Sequence, residues 1–238
     1  MGYCSRSQAA VLIRAGRVTL HGRITRNPES PVRMPQDRIE IDGSPLDKTL
    51  AIYFIMNKPR GVVTTASDEK GRDTVYDLIE PGLPWVGPVG RLDKASEGLL
   101  LLTNDSVWAA KITEPSSHLD KKYHVQVDCV ADSHLLARIT RGSAVPGDSA
   151  DTDPGEHLRA KQARLLRHGD KNSWIEITLD EGKNRQIRRL LDALEVRVLR
   201  LVRVSIGPLE LGDLKKASAR PLTPEEKNAI DRALSGLR

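Results

Sequence analysis

The pattern of apolar and polar positions divides the chain into a short leading segment and a longer one built on several strand-length runs. In the leading segment Ala9, Ala10, Leu12 and Ile13 recur at helical spacing, with Ser5 or Ser7 placed to cap the first turn and Gly16 to end the helix. Arg17 to Leu20 alternates as a strand, His21-Gly22 predicts a tight turn into a second short strand, and Asp37 to Ile41 predicts a third. Asp42-Gly43-Ser44-Pro45 reads as the way out of this unit. The expectation is a small α/β module at 1–43, a linker at 44–49 and a second domain at 50–238.

The second domain opens on Leu50 to Met56, an unbroken apolar run suited to a strand buried on both faces. Asn57-Lys58-Pro59-Arg60-Gly61 predicts a turn that sends the chain back through Val62-Val63-Thr64-Thr65. Asp73 to Ile79 predicts a short helix, and Pro81 to Pro88 an irregular approach to a glycine-bounded loop, Gly90 to Gly98. That loop releases the chain into Leu99 to Leu102, another buried strand. Asp105 or Ser106 then caps a helix through Val107, Ala110, Lys111 and Ile112, which Pro115 stops.

Further on, Lys121 to Val127 alternates as a strand and Ser133 to Thr140 reads as a helix. Pro146 to His157 reads as a mobile acidic loop, and Ala160 to Leu166 and Trp174 to Leu179 as two strands. Behind the Gly182 turn, Ile187, Leu190, Leu191 and Leu194 mark the buried face of a helix. Leu199 to Gly207 predicts one more strand, and Thr223-Pro224-Glu225-Glu226 is a capping box that starts a closing helix.

Charge adds a partner to this picture. The net charge of +5 is unevenly spread. Residues 1–26 hold Arg6, Arg14, Arg17, Arg23 and Arg26 and no acid; residues 183–203 hold Lys183 and six arginines against Asp192 and Glu195. The stretch 131–160 is net acidic. Segregated cations are what phosphate contact requires. No apolar run reaches membrane-spanning length and the N-terminus lacks a signal-peptide pattern, so no membrane association and a cytoplasmic location are expected. Cys4 and Cys129 stand far apart, the six histidines show no ligand spacing, and no glycine-rich phosphate loop occurs. Reduced thiols, no metal and no cofactor are therefore expected.

Candidate chemistry centres on Arg91 and Asp93, which share one short turn. A carboxylate on a loop backed by a rigid strand is held still while facing outward, as a catalytic group must be. Taken alone, Asp93 could equally cap the turn or pair with Lys94. The whole stretch from Val89 to Asp105, Gly-Arg-Leu-Asp through Ser96, Gly98, the four leucines and Thr103-Asn104-Asp105, resembles the signature of the ribosomal RNA pseudouridine synthases. Lys121-Lys122-Tyr123 resembles their second motif, and Asn184-Arg185-Gln186-Ile187-Arg188-Arg189 their third. Ser5-Arg6, with Leu12-Ile13-Arg14-Ala15-Gly16-Arg17-Val18 and Gly22, resembles the small RNA-binding domain that heads many of these synthases. That domain normally begins with an additional helix, so a partial module is expected.

The resemblance implies an α+β fold, a mixed and largely antiparallel sheet flanked by helices, with the site in a basic cleft across the sheet. It implies isomerisation of a uridine: the N1–C1′ bond breaks, the base rotates, and it rejoins through C5. All atoms are kept, so neither cofactor nor metal takes part. By the same resemblance Asp93 is the catalytic residue, and Arg188 pairs with it and keeps it ionised. Arg91 displaces or holds the flipped nucleotide, and Tyr123 stacks on the base, replacing the neighbours that the base leaves. Arg6, Arg14, Arg17, Lys58, Lys183, Arg185 and Arg189 are the expected RNA contacts. The expected partner is ribosomal RNA in a folded or partly assembled subunit, met by a monomer. Two other classes compete. A catalytically inactive ribosome-assembly factor would share the fold, but it has no need of Asp93, Tyr123 and Arg188 together. A glycoside hydrolase would need a second carboxylate across the bond.

Overall fold

A computed structural model describes residues 3–33, 36–46, 50–66, 68–117, 119–146 and 155–236. The leading unit begins with helix α1 (Arg6–Arg14). Ser5 caps it reciprocally: Gln8 N donates to Ser5 Oγ at 3.2 Å, and Ser5 N donates to Gln8 Oε1 at 3.0 Å. Strands β1 (Val18–Leu20), β2 (Arg23–Thr25), β3 (Ile39–Ile41) and β4 (Ser44–Pro45) form an antiparallel sheet in the order β2-β1-β3-β4. The expected linker is thus partly wrong. Asp42 and Gly43 both take positive φ, 51° and 78°, and form a two-residue hairpin turn that Asp-Gly favours. Ser44 and Pro45 then pair back onto β3, so the unit runs past residue 43; residues 47–49 lie outside the described ones.

The larger unit is a nine-stranded sheet. Its first strand, β5 (Tyr53–Lys58), starts later than the apolar run because Leu50 is 87% exposed. It also runs on through Asn57 and Lys58, which the sequence assigned to a turn. The ladder ends at Pro59, which has no N–H to give. Val62 to Thr65 forms no strand, only a bridge from Val63 to Thr74, and the short helix after it is a 3-10 turn at Val75–Leu78. β6 (Gly87–Val89) and β7 (Glu97–Thr103) flank the glycine-bounded loop, and α2 (Ser106–Thr113) follows with Asp105 as its cap.

β8 (Lys121–Val127) and α3 (Ser133–Arg141) come next, then a two-stranded ribbon of β9 (Ser143–Val145) and β10 (Glu156–Leu158). The expected mobile loop falls between these two strands; its residues 147–154 lie outside the described ones, and Glu156 is already strand. β11 (Gln162–His168), β12 (Ser173–Leu179), α4 (Gln186–Ala193) and β13 (Val198–Ile206) complete the centre. The chain closes with β14 (Leu209–Glu210), β15 (Ala219–Pro221) and α5 (Pro224–Ser235).

The strand order is β11-β12-β8-β13-β7-β5-β15, with β6 on β7 and β14 on β13. Every pairing is antiparallel except β13 with β7, so the expected mixed, largely antiparallel sheet is present. One face carries two apolar clusters. α3 and α4 cover β8, β12 and β13 with Leu135, Ile139, Ile187 and Leu190, while Val62, Val75, Val86 and Leu92 cover β5 and β7. Tyr123 packs against both, where they meet. On the reverse face α2 and α5 bury Trp108, Ile112 and Ile230 against Ile55, Leu99 and Leu101. All seven residues of β7 are buried, which makes it a stiff base for the loop that precedes it.

Gly98 sets the closest approach in the sheet. At φ 101° an added Cβ would lie 2.3 Å from Arg203 O and 2.8 Å from Arg203 N, both main-chain atoms that cannot swing aside. Gly98→Ala is therefore expected to destabilise the protein by about 3 kcal/mol or more, since backbone strain and overlap act together. Urea denaturation checks this through a lower midpoint at an unchanged slope.

Candidate active site

The loop before β7 is fixed by its carbonyl groups. Thr64 Oγ1 donates to Leu92 O at 2.8 Å, and Ser96 N donates to Asp93 O at 2.9 Å. Gly61 N donates to Lys94 O at 2.8 Å, and Arg188 Nη2 to Ala95 O at 2.9 Å. Lys58 Nζ donates to Asp93 O at 3.2 Å, Ser96 O at 3.1 Å and Pro59 O at 3.1 Å. Every carbonyl from Leu92 to Ser96 is thus engaged, while the side chains of Arg91, Asp93 and Lys94 remain accessible. Lys58 was expected to contact RNA phosphate; at 0% exposure it cannot. Its three donors are spent on the loop, and burial pulls its ammonium down to about 8, with Asp93 and Glu97 resisting the shift.

Three strand pairings place four residues in one row of the sheet. Arg203 opposes Tyr123 on one side and Gly98 on the other, and Gly98 opposes Lys58. Tyr123 is half buried and packs against both apolar clusters, at the division between the loop side and the α4 side. Arg203 is buried, donates from Nε to Leu99 O at 2.7 Å, and leaves Nη2 without a partner among the described residues. Nothing in the sequence marked it, because a cation inside a strand looks the same on either face.

The arginine that reaches Asp93 is not the expected one. Arg185 Nη1 lies 3.8 Å from Asp93 Oδ2, with the carboxylate side chain 36% exposed. Arg185 takes left-handed φ and ψ, 46° and 29°, at the N-cap of α4, and this swings it off the helix toward the loop. Arg188, one helical turn on, makes no ion pair with Asp93 within 4 Å; it holds the neighbouring Ala95 carbonyl instead. Burial pulls the Arg188 guanidinium down, Arg185 and Arg60 push the same way, and Asp93 partly offsets them. Its Nε is buried without a partner among the described residues. Arg91 is exposed beside Asp93.

The remaining expected RNA contacts divide. Arg6 and Arg14 are exposed on α1. Arg17 is tied to Asp42 in an ion pair. Lys183 lies between Glu156 at 3.2 Å and Glu181 at 3.4 Å. Arg189 is held by Glu156 at 2.6 Å and by Pro146 O at 3.0 Å, so it ties the β9–β10 ribbon to α4 and does not face outward. Glu97, the carboxylate nearest to Asp93 in sequence, turns to the reverse face, where Arg200 and Lys216 take it at 3.1 and 2.8 Å. It is not the second carboxylate that glycoside hydrolysis would need.

An accessible aspartate on a loop bonded through its carbonyls, Arg185 at the end of α4 at 3.8 Å from it, and the half-buried Tyr123 are the groups this part of the sheet offers to a substrate. Comparison with known proteins is specific. Residues 52–193 match the RNA pseudouridylate synthase family and residues 1–39 match the S4 domain. The chain is 36% identical to "Ribosomal large subunit pseudouridine synthase B" of Bacillus subtilis (strain 168), over 98% of this chain and 93% of the relative. It is 35% identical to an uncharacterized RNA pseudouridine synthase of Aquifex aeolicus (strain VF5), over 98% and 91%. A crystal structure of a pseudouridylate synthase superposes with a TM-score of 0.67 at 30% identity, over 95% of this chain and 94% of that one. The human RNA Pseudouridylate Synthase Domain Containing 1, 13% identical with a TM-score of 0.53 over 76% and 91%, shares the fold. The chain belongs to the RNA pseudouridylate synthase family and carries an S4 RNA-binding domain at its N-terminal end.

Lys58 provides the sharpest test of this construction. Lys58→Met keeps length and apolar contact but removes the Lys58 donor from Pro59 O and Ser96 O and leaves Asp93 O only Ser96 N. A loss of about 1–3 kcal/mol in stability is expected. Turnover should fall by about 100-fold or more, because loop displacement near 1 Å is enough to spoil reactive geometry. The ammonium also sets a pH signature. Its proton is held less tightly in the folded protein (about 8) than in the unfolded chain (10.5), so between these values the unfolded state carries more protons. Wild-type stability should rise relative to Lys58→Met as pH climbs from 8 to 10.5. Parallel denaturation curves for the two proteins across that window would show an unchanged gap instead if Lys58 kept an ordinary proton affinity.

Proposed function

We propose that this enzyme converts a uridine of large-subunit ribosomal RNA to pseudouridine, with Asp93 as its catalytic residue. The observation that carries the reading is the loop itself: five consecutive carbonyls, Leu92 to Ser96, are bonded inward, which leaves the Asp93 carboxylate on the accessible side with the Arg91 and Lys94 side chains. The likeness to the Bacillus subtilis enzyme supports ribosomal RNA of the large subunit as the substrate. Asp93 acts as the nucleophile or base that starts cleavage of the N1–C1′ bond. The bonding pair leaves with the base, the base turns above Tyr123, and C5 bonds to C1′. C5 then gives up its proton and N1 gains one, so the reaction balances with no external reactant.

The cations have separate tasks in this scheme. Arg185 orients the Asp93 carboxylate from the end of α4, and Arg188 secures the loop by its Ala95 carbonyl. Arg91, exposed on the same turn, holds the nucleotide taken out of its stack. Arg6 and Arg14 on α1 contribute phosphate contacts that carry no sequence information.

Asp93→Asn keeps the side chain's size and removes its charge. Pseudouridine formation in a large-subunit transcript is expected to disappear, while RNA affinity stays within about 3-fold of wild type, since one neutralised surface carboxylate changes few phosphate contacts. Mapping pseudouridines in ribosomal RNA from cells that lack the protein identifies the uridine. Appreciable turnover by Asp93→Asn rules out the assignment, and an inactive wild-type protein with intact RNA binding would make it an assembly factor.

A further inference from the structure

The reverse face of the sheet holds a site that the isomerisation does not use. α2 and α5 cover that face over β5 and β7. Over β11, β12 and β8 the side chains stay accessible: Leu166 and Arg167 are exposed, and Trp174, His124 and Gln126 are half buried. Two guanidiniums approach Trp174 there, with Arg167 Cζ 5.4 Å and Arg200 Cζ 5.5 Å from its ring centroid. Arg167 opposes Trp174 on β11, Gln126 opposes it on β8, and Arg200 opposes Gln126 on β13, so the two cations come from strands on either side of β12. His124, Leu166, Arg167, Trp174, Arg200 and Val202 line an open cavity of about 410 Å³.

The chemistry of the cavity is specific in kind. Its floor is apolar and aromatic and its rim is cationic. Glu97 is met by Arg200 and Lys216, and Glu176 by Arg164 and His124, so four permanent cations, Arg167 included, stand against two carboxylates. Arg167 has no carboxylate partner among the described residues. An acidic peptide would satisfy the guanidiniums and leave the flat floor unused. A nucleotide brings both parts: a base plane to stack and phosphates to meet the cations.

We propose that this cavity binds one unpaired nucleotide of the RNA substrate, stacked on Trp174 with its phosphates at Arg167 and Arg200. The inference rests on the RNA-modifying reading above, because the same RNA supplies the uridine on the opposite face. The route between faces runs round β11, the last strand of the sheet, exposed at six of its seven residues.

Full-length protein is titrated with two fluorescein-labelled probes, an oligouridylate of about 12 nucleotides and a large-subunit ribosomal RNA transcript. Trp174→Ala is expected to weaken both by about 5-fold or more, and Trp174→Phe, which keeps a stacking ring, to stay near wild type. Arg167→Gln, on an exposed side chain that packs nothing essential, should lower the salt slope for the oligouridylate by about 0.7. Wild-type affinity and slope in both Trp174→Ala and Arg167→Gln would overturn the proposal. If wild-type protein forms no pseudouridine yet Trp174→Ala still loses RNA, the catalytic reading fails and the binding site stands.

Discussion

A buried ammonium group holds this structure's function together. Lys58 ends the strand next to β7 and sends its Nζ into the loop that carries Asp93, where three carbonyl oxygens surround it. Burying a lysine is unfavourable unless its donors are met. The loop's carbonyls need partners as urgently, because a turn that crosses the end of a sheet finds none in the ladder. Each defect satisfies the other. The result is a segment in which the carbonyls from Leu92 to Ser96 are bonded inward and the Asp93 side chain is left accessible.

The surrounding charges follow from that arrangement. Arg203 lies in the same row of the sheet as Lys58, close enough to disfavour its proton, and it presses on Lys121 in the same way. Burial is the larger cause for both lysines. These cations repel each other, and Asp93 is an anion that offsets the effect at Lys58 and Arg188. The site is thereby biased toward negative charge before any substrate arrives, whether that charge is a carboxylate, a phosphate or a base that has taken the electrons of a broken bond. Glu97, one residue past the loop, does not compete for these cations. Burial alone would raise its carboxyl, but hydrogen bonds from Arg200 and Lys216 on the reverse face more than reverse this and hold it below its usual value.

Much of this was legible in the sequence where chemistry is local. Ser5, Asp105 and Thr223 announce their helices because a capping side chain needs only the next three residues. The apolar run after Gly98 could only be a buried strand. What was not legible depends on partners far along the chain. Lys58 looked like a surface cation because nothing nearby in sequence shows that Asp93 and Ser96 will receive it. Asp42-Gly43 looked like the end of a module because a turn signal does not say whether a strand follows it. β14 and β15, two and three residues long, were missed because so short a segment has no period to read. The motif singled out Asp93, but the arginine that meets its carboxylate was misassigned by three residues.

That misassignment has a physical cause with consequences for the site. On a regular helix Arg185 and Arg188 would project from nearby positions, one turn apart, and nothing in the pattern chooses between them. Arg185 is not on the helix; its left-handed backbone carries it out of line, so it meets Asp93 while Arg188 keeps the helical direction and reaches the main chain of Ala95. The tasks of orienting the carboxylate and of fixing its loop are therefore divided between two arginines. An exposed pair at 3.8 Å is adjustable and can open when an anionic substrate competes for the guanidinium. A half-buried hydrogen bond at 2.9 Å to a carbonyl has no such competitor. The adjustable contact sits on the exposed carboxylate, and the fixed contact on the backbone that carries it.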